Sequence, residues 1–337
     1  MGGNAFDGLK RLAAADYKDY EARVLKYLQG IYQQFAPLRY YRQKPDFGDM
    51  DVVVAGLPPA RGVFEAFLKD IGADDVFYNG SIYSFRYADF QVDLIHVDPE
   101  LFETAQFYFA YNDLNNLIGR VAHALGVKFG WDGLTYQIRT VSGHRPHKIV
   151  LSRDPEAIYT FLGYDYARWE CGFDTLSEIF AFVASSPYFN PALYTLQNLN
   201  HANRTRNRKR KTYLQFLAWC QGQVQYSETS FGAAPVQADK SLFLIKVHNA
   251  FPAADLLGQL KTCAEENAAH HARKAKFNGH LVSDWVGIEG VELGKWLALY
   301  ARSFGSKYAQ YAFFDAHSPA EVEAHFRTFY AAERASP

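Results

Sequence analysis

Residues 48–55 read Gly-Asp-Met-Asp-Val-Val-Val-Ala, and this stretch decides how the first part of the chain folds. The β-branched run predicts a strand, which Gly56 and the prolines after it end. Side chains two apart on a strand point to the same face, so Asp49 and Asp51 present paired carboxylates. Two carboxylates this close repel each other when both are ionised, unless a cation lies between them. Hard oxygen ligands of this kind suit Mg²⁺ or Mn²⁺.

The alternative interpretation is that Asp49 and Asp51 lie at a solvated strand end and bind nothing, which is usual for an isolated Asp-x-Asp. A third acid favours the metal site instead. Asp93 lies in an otherwise apolar run, residues 92–95, where a carboxylate is costly unless it binds something. If the two strands are neighbours in one sheet, three carboxylates converge, as two-metal phosphoryl transfer requires.

The segments around these acids predict the fold class. Residues 16–35 and 60–71 have apolar side chains at helical spacing, which predicts two helices. Turn signals at Asn79-Gly80 and Ala88-Asp89 separate further apolar runs, which predicts a small meander of strands. This order is typical of an α+β unit with one small mixed sheet and helices on one face. Strand signals become rare after residue 100, so we expect a mainly helical C-terminal half.

Composition and charge exclude two classes of protein. The chain has 337 residues, a length that favours two or three domains. Lys plus Arg is 35 and Asp plus Glu is 36, which excludes a chain that is basic throughout but allows a local basic stripe. A hydrophobic fraction of 49% excludes a disordered chain, because that much apolar surface can form a core.

Cysteine usage and the lack of long apolar runs bear on the compartment. Cys171, Cys220 and Cys263 are far apart and odd in number, so we expect no disulfide framework, no zinc site and a reducing compartment. The sequence has no apolar leader and no run of the ~20 apolar residues that a membrane span needs. We therefore expect a soluble, cytoplasmic protein with no membrane partner.

Residues 40–52 resemble the palm signature of the nucleotidyltransferase superfamily. They read Tyr-Tyr-Arg-Gln-Lys-Pro-Asp-Phe-Gly-Asp-Met-Asp-Val. It is most similar to family X DNA polymerases, the polymerase beta type. Residues 92–94 resemble the strand that carries this family's third metal-binding Asp, and residues 107–109 fall at its Tyr-Phe motif. Residues 113–125 resemble the helix that contacts the nascent base pair, and residues 154–163 resemble the closing segment. The motifs occur in the family's order.

This resemblance implies a metal-dependent nucleotidyltransferase with an α+β palm and an NTP or dNTP as substrate. It implies that Asp49 and Asp51 bind both Mg²⁺ or Mn²⁺ ions. Asp93 would bind the catalytic ion and orient or deprotonate the attacking 3′-hydroxyl. The reaction would release pyrophosphate.

The resemblance also implies a set of nucleotide-binding residues. Arg42 would contact the triphosphate, Tyr108 and Phe109 would pack against the sugar, and Asn116 would touch the base edge. Leu38-Arg39 stand where the family has Gly-Ser, and the arginine would supply a charged phosphate contact instead. The complete set is Arg39, Arg42, Lys44, Gly48, Tyr108, Phe109, Asn116 and Arg120.

Two further positions differ from the family. Phe90-Gln91 stand where it has an Arg pair before the third Asp. Tyr111 stands where a Gly normally follows the Tyr-Phe motif, so we expect a different sugar pocket.

A basic stripe follows in the C-terminal half. Residues 201–211 contain six cations and no acid, and such a run repels itself unless it meets a polyanion. We therefore expect it to bind nucleic acid, the alternative being a solvated loop without a partner. The six cations are Arg204, Arg206, Arg208, Lys209, Arg210 and Lys211.

Residues 277–298 loosely resemble a helical motif of tRNA nucleotidyltransferases of the CCA-adding type, through glycines spaced between apolar residues. The alternative is an ordinary helix-turn-helix with glycines at its turns. If the resemblance holds, it favours an RNA 3′ end as the acceptor.

We expect four segments along the chain. These are a palm at 1–100, a thumb-like α/β segment at 101–165, a helical segment with the basic stripe at 166–230, and a helical domain at 231–337.

The sequence therefore predicts an enzyme that adds nucleotides to a nucleic-acid 3′-hydroxyl, with an RNA end favoured and a DNA primer possible. Two alternatives stay open. One is a catalytically degenerate palm that only binds nucleic acid, and the other is nucleotidylation of a protein or small molecule. The sequence predicts no particular protein partner.

Overall fold

The computed structural model describes residues 5–138, 147–227, 229–232 and 240–335. Contacts divide the chain into two compact units. The first comprises residues 1–137 and 148–256, and the second comprises residues 138–147 and 257–337.

Strands and helices are numbered in chain order. The strands are β1 (Leu12–Ala13), β2 (Phe35–Pro37), β3 (Asp46–Phe47), β4 (Asp49–Ala55), β5 (Asp74–Asn79), β6 (Ile82–Tyr87), β7 (Phe90–Val97), β8 (Lys128–Gly130), β9 (Gly133–Ile138) and β10 (His147–Ser152). The helices are α1 (Ala14–Leu28), α2 (Arg61–Asp70), α3 (Phe102–Phe109), α4 (Leu114–Ala124), α5 (Pro155–Leu162), α6 (Tyr166–Cys171), α7 (Leu176–Ala184), α8 (His201–Asn207), α9 (Lys211–Gln221), α10 (Thr229–Gly232), α11 (Lys240–Ala250), α12 (Leu256–Lys276), α13 (Gly279–Val286), α14 (Gly290–Ser303), α15 (Lys307–Ala316) and α16 (Pro319–Ala335).

The first unit is built on a five-stranded sheet in the order β2-β4-β7-β6-β5. Strands β4 and β7 pair in parallel, with Asp51 opposite Asp93, and the other pairs are antiparallel. The turn between β6 and β7 places Ala88 and Asp89 at positive φ, as a tight two-residue hairpin turn requires. The prediction of one small mixed sheet is confirmed.

One face of the sheet carries the main core. Met50, Val52 and Val54 alternate with the acids along β4, so they point away from them and are fully buried. Helices α1 and α2 cover this face, and their apolar stripes belong to the same cluster. The prediction of helices on one face holds for α1 and α2, whereas α3 packs on the opposite face.

The opposite face is divided between acids and a smaller core. Its far half, with Val53 and Val97, packs against the 3₁₀ turn Pro99–Leu101 and helix α3. Its near half, where β4 and β7 begin, carries the three aspartates. Helix α3 therefore supports this face of the sheet without covering the carboxylates with apolar side chains.

Aromatic packing holds together the rest of the first unit. Phe107 of α3, Tyr159 of α5 and Trp169 of α6 contact one another edge to face. The buried Asn115 side chain donates to the carbonyl oxygen of Phe107 at 2.8 Å and accepts from the Tyr159 hydroxyl at 2.7 Å. Strands β8, β9 and β10 follow α4 in the chain and form a three-stranded sheet in the order β10-β9-β8.

The second unit is helical. Its core forms around Val282, Tyr300, Phe314 and Phe326, which come from α13, α14, α15 and α16. Helix α16 begins with a reciprocal cap, in which residues 318 and 321 exchange backbone and side-chain hydrogen bonds. The predicted mainly helical C-terminal half is confirmed, and together with the mixed sheet it establishes an α+β fold.

One predicted boundary is wrong. Helix α1 ends at Leu28, and the predicted helix to residue 35 is not formed. Residues 35–37 pair with β4 as β2 instead, with Phe35 opposite Val54. Ile31, Tyr32 and Phe35 fit a helical spacing in sequence, but they pack against the same core from the segment between α1 and β2 and from β2 itself.

No helix in the described residues is long and apolar enough to cross a membrane.

His96 is buried in β7, and its neighbours define which ring nitrogen carries the proton. Nδ1 lies 3.0 Å from the carbonyl oxygen of Ser81, which can only accept, so Nδ1 carries the hydrogen. Nε2 then accepts from the Tyr32 hydroxyl at 2.9 Å. Burial lowers the pKa of His96, because the charged ring would lose its hydration.

We expect the protein to lose stability as the pH falls below about 6.5, because the unfolded chain then binds a proton that folded His96 excludes. In His96→Gln this contribution is absent, so its urea midpoint should fall less than that of the wild type between about pH 7.5 and pH 5.5. Circular dichroism at both pH values measures the midpoints. His201→Gln, at an exposed position, is the control and should keep the wild-type pH dependence. Equal pH dependence in all three proteins would contradict the role of His96.

Candidate metal and nucleotide site

Three carboxylates converge where β4 and β7 begin. Asp49 and Asp51 lie on β4, and the parallel register brings Asp93 of β7 beside them. One carboxylate oxygen from each residue lies within 4.8 Å of the other two, and all three side chains are partly buried. The prediction that these strands are sheet neighbours is confirmed, and the acidic cluster can bind a metal ion.

The electrostatics of the cluster are unfavourable without a cation. Removal from water, followed by the charges of Asp49 and Asp93, raises the pKa of Asp51 well above its ordinary range. Burial is also the main reason that the pKa of Asp93 is raised. All three donors are hard oxygens, which is the ligand set that Mg²⁺ and Mn²⁺ prefer. The residues present therefore fit a divalent metal ion.

Two neutral side chains hold Asp93. The Gln91 side-chain nitrogen donates to both carboxylate oxygens at 2.9 Å, and the Ser84 hydroxyl also donates to Asp93. In the sequence, Gln91 stands out only because it departs from the family pattern. Ser84 does not stand out at all, since it becomes the neighbour of Asp93 only through the antiparallel pairing of β6 with β7.

A cavity of about 500 Å³ adjoins the carboxylates, in the size range of small-molecule sites. Asp49 and Asp51 lie in its wall, and cations from separate elements lie around them. The lining cations are Arg11, Arg39, Lys44 and Lys211. Opposite charges thus line one polar cavity, which suits a metal-bound polyphosphate.

Two of the predicted nucleotide-binding cations, Lys44 and Arg39, line this cavity. The Lys44 ammonium lies 3.4 Å from Asn112 Oδ1 and 4.1 Å from the centre of the Phe47 ring. Burial lowers the pKa of Lys44, and the charges of nearby aspartates partly oppose this shift. The Arg39 guanidinium lies over the Trp169 ring at 5.0 Å. Asn112 was missed by sequence analysis, because nothing in its local pattern distinguishes it.

The other two predicted arginines bind protein groups. Arg42 donates to Asp174 at 3.0 Å and to the carbonyl oxygen of Cys171 at 2.7 Å. Arg120 donates to the carbonyl oxygen of Leu193 at 3.1 Å. Both arginines therefore connect earlier segments of the unit to segments that follow later in the chain, and their contacts with a nucleotide stay predictions.

Of the remaining predicted nucleotide-binding residues, two line the cavity and two pack within the protein. Gly48 and Phe109 line the cavity. The Tyr108 ring packs edge-on against Phe129, and burial raises the pKa of its hydroxyl. Asn116 lies on α4 and is partly buried, one residue after the fully buried Asn115.

The basic stripe separates into structural and exposed cations. Arg204 donates to the carbonyl oxygen of Leu199 at 2.9 Å, and Arg210 forms an ion pair with Asp113. Both are partly buried. Four cations remain exposed at the end of α8 and the start of α9, namely Arg206, Arg208, Lys209 and Lys211. Lys211 also lines the cavity, together with Thr212 and Gln215 of the same helix.

Residues 277–298 form the helix pair α13 and α14. Gly287 ends α13 at positive φ, and Gly290 begins α14, also at positive φ. Gly279 lies against Leu297, where an added Cβ would meet the leucine at 3.6 Å. Gly287 and Gly290 thus serve the turn between the two helices, whereas Gly279 makes an ordinary contact, and the resemblance to the CCA-adding motif stays a prediction.

Two solved structures of Leishmania infantum polymerase beta are among those similar to this chain. The ternary gap complex has a TM-score of 0.32 and 16% identity over 39% of this chain and 52% of that one. The ternary P/T complex has a TM-score of 0.32 and 17% identity over 40% of this chain and 60% of that one. The chain thus spans little more than half the length of these structures.

No protein-family model matches the chain. No curated protein matches it either. We therefore infer the function of the site from its own residues and geometry.

We expect Asp51→Asn to relieve the repulsion in the metal-free cluster. The variant should gain about 1 kcal/mol of stability, which raises Tm by roughly 2–4 °C in EDTA. Addition of Mn²⁺ should stabilise the wild type but not the variant, because binding to the folded state alone raises Tm. Thermal unfolding followed by circular dichroism measures both effects. Asp19→Asn, at an exposed position of α1, should leave the Mn²⁺ response unchanged.

Proposed function

We propose that the protein is a metal-dependent nucleotidyltransferase that transfers a nucleotide from an NTP or dNTP to a nucleic-acid 3′-hydroxyl and releases pyrophosphate. The observation that carries the proposal is the convergence of Asp49, Asp51 and Asp93 beside a cavity lined by cations. Carboxylates bind divalent metal ions and cations bind phosphates, and both groups are within reach of one ligand here.

Divalent ions would be held by all three carboxylates. As the family resemblance implies, Asp49 and Asp51 would hold both ions, and Asp93 would hold the catalytic ion and orient or deprotonate the attacking hydroxyl. When bound, the ions polarise the α-phosphate, lower the pKa of the hydroxyl and neutralise the charge of the leaving pyrophosphate.

The protein's own contribution is positioning and charge. Of the cations that the family resemblance assigns to the nucleotide, Lys44 and Arg39 would contact the triphosphate, because they line the cavity with the carboxylates. Gly48 has no side chain to obstruct a phosphate that approaches the start of β4. Phe109 offers an apolar surface to the sugar. In this proposal Arg42, Tyr108, Asn116 and Arg120 keep their nucleotide roles from the family resemblance.

The acceptor strand would follow the exposed cations of the basic stripe. Lys211 belongs to both the stripe and the cavity wall, so one end of the stripe reaches the cavity that the carboxylates line. Phosphates bound along Arg206, Arg208 and Lys209 would bring a strand end to the cavity. We favour an RNA 3′ end as the acceptor, with a DNA primer as the second possibility.

The reaction is tested by incubating the protein with Mg²⁺ or Mn²⁺, each labelled NTP and dNTP, and tRNA, single-stranded RNA or primed DNA. We expect a labelled polymer with the wild type. The double variant Asp49→Ala, Asp51→Ala should lose at least about a thousandfold in rate, or roughly 4 kcal/mol of transition-state stabilisation. Asp19→Ala is the matched control. Nucleic-acid binding without pyrophosphate release by the wild type would favour the degenerate palm.

Charge reversal tests the acceptor. The triple variant Arg206→Glu, Arg208→Glu, Lys209→Glu should raise KM for a nucleic-acid acceptor about tenfold or more and flatten its salt dependence, because phosphate contacts release counterions. Steady-state kinetics at two salt concentrations measure both effects. The control reverses three exposed lysines of α1 and α2, Lys18, Lys26 and Lys69. Unchanged activity in the stripe variant would point to a protein or small-molecule acceptor.

A further inference from the structure

We propose that Gln91 is a positioning residue for Asp93, and that the amino-terminal segment, residues 5–13, holds Gln91 in its working orientation. This inference rests on the proposed metal-dependent function and adds a structural role that the carboxylates alone do not reveal.

Gln91 is built into the site. It precedes Asp93 by two residues on β7, so both side chains project from the same face of the sheet. Its side-chain nitrogen lies 2.9 Å from each carboxylate oxygen of Asp93, and only 5% of the residue is exposed. A buried amide nitrogen that lies equally far from both oxygens of one carboxylate restricts the rotation of that carboxylate.

The other end of the Gln91 amide explains why it cannot reverse. Its oxygen accepts a hydrogen bond from the backbone N–H of Ala5 at 2.9 Å. A backbone N–H can only donate, so the oxygen must face Ala5 and the nitrogen must face Asp93. A reversed amide would set two donors against each other and two acceptors against each other.

The amino-terminal segment contacts the chain beside both metal-binding strands. Lys10 donates its backbone N–H to the carbonyl oxygen of Asp89 at 2.9 Å, next to the start of β7. Leu12 then pairs with Phe47 in the β1–β3 ladder, just before Asp49. The segment therefore joins the beginnings of β4 and β7, where all three aspartates lie.

Neutral donors also preserve the charge of the cluster. Gln91 and Ser84 orient Asp93 without cancelling any of its negative charge, whereas an arginine at the same place would cancel part of it. The full charge of the three carboxylates thus remains for metal ions. Because hydrogen-bond partners of metal ligands change metal affinity about 10- to 100-fold when removed, the effect is measurable.

The first test is Gln91→Leu, which keeps the approximate size of the side chain and removes its donors and acceptor. We expect about a 10- to 100-fold weaker Mn²⁺ affinity without nucleotide, measured from free Mn²⁺ by electron paramagnetic resonance. We also expect a lower kcat with little change in KM for the nucleotide, because the phosphate-binding cations are untouched. Circular dichroism confirms that the variant is folded.

The second test acts on the segment without altering a side chain near the metal. Ala5→Pro removes the N–H that holds the Gln91 amide, and Ala5→Gly keeps it. Ala5→Pro should weaken Mn²⁺ binding about threefold or more, and Ala5→Gly should match the wild type.

Each result decides a separate claim. Wild-type Mn²⁺ affinity and kcat in folded Gln91→Leu would overturn the role of Gln91 and leave the proposed reaction intact. Equal affinities for the two Ala5 variants would overturn the role of the segment. If Gln91→Leu does not fold, the Ala5 pair decides the proposal. Failure of the wild-type protein to bind Mn²⁺ would overturn the proposed function and this role together.

Discussion

In-register parallel pairing of β4 with β7 places Asp51 opposite Asp93, and the rest of the first unit depends on this contact. Three carboxylates in one partly buried place cost free energy, so the surrounding structure has to hold them there. Apolar alternation on β4 anchors the strand on the opposite face under α1 and α2. Helix α3 packs on the far half of the acidic face and leaves the carboxylates accessible.

Charge balance around the carboxylates comes from distant parts of the chain. Lys44 precedes β4 by a few residues, but Lys211 reaches the same cavity from α9. The exposed members of the basic stripe lie next to Lys211, while Arg204 and Arg210 hold the stripe in place through protein contacts. The near-zero net charge of the chain is thus a sum over unlike regions, among them a cluster of three carboxylates and a run of exposed cations that reaches the same cavity.

The sequence predicted the central features of the fold and of the site because they depend on local patterns. Alternation on the strand predicted that Asp49 and Asp51 share a face, and the apolar surroundings of Asp93 singled it out. The end of α1 could not be predicted in the same way, because Ile31, Tyr32 and Phe35 continue the helical spacing of α1 although they reach the core from beyond its end. Arg42 and Arg120 bind carbonyl oxygens far away in sequence, which no local pattern indicates.

By itself, the sequence determined which residues are acids, cations and core, and that the sheet has one apolar face and one face with carboxylates. Only the tertiary structure decided which strands are neighbours, which cations reach the cavity, and that Gln91 orients Asp93 while Ala5 holds Gln91. The physical reason is that strand alternation is a local property with a period of two residues. Register, cavity walls and buried hydrogen bonds depend instead on groups that only folding brings together.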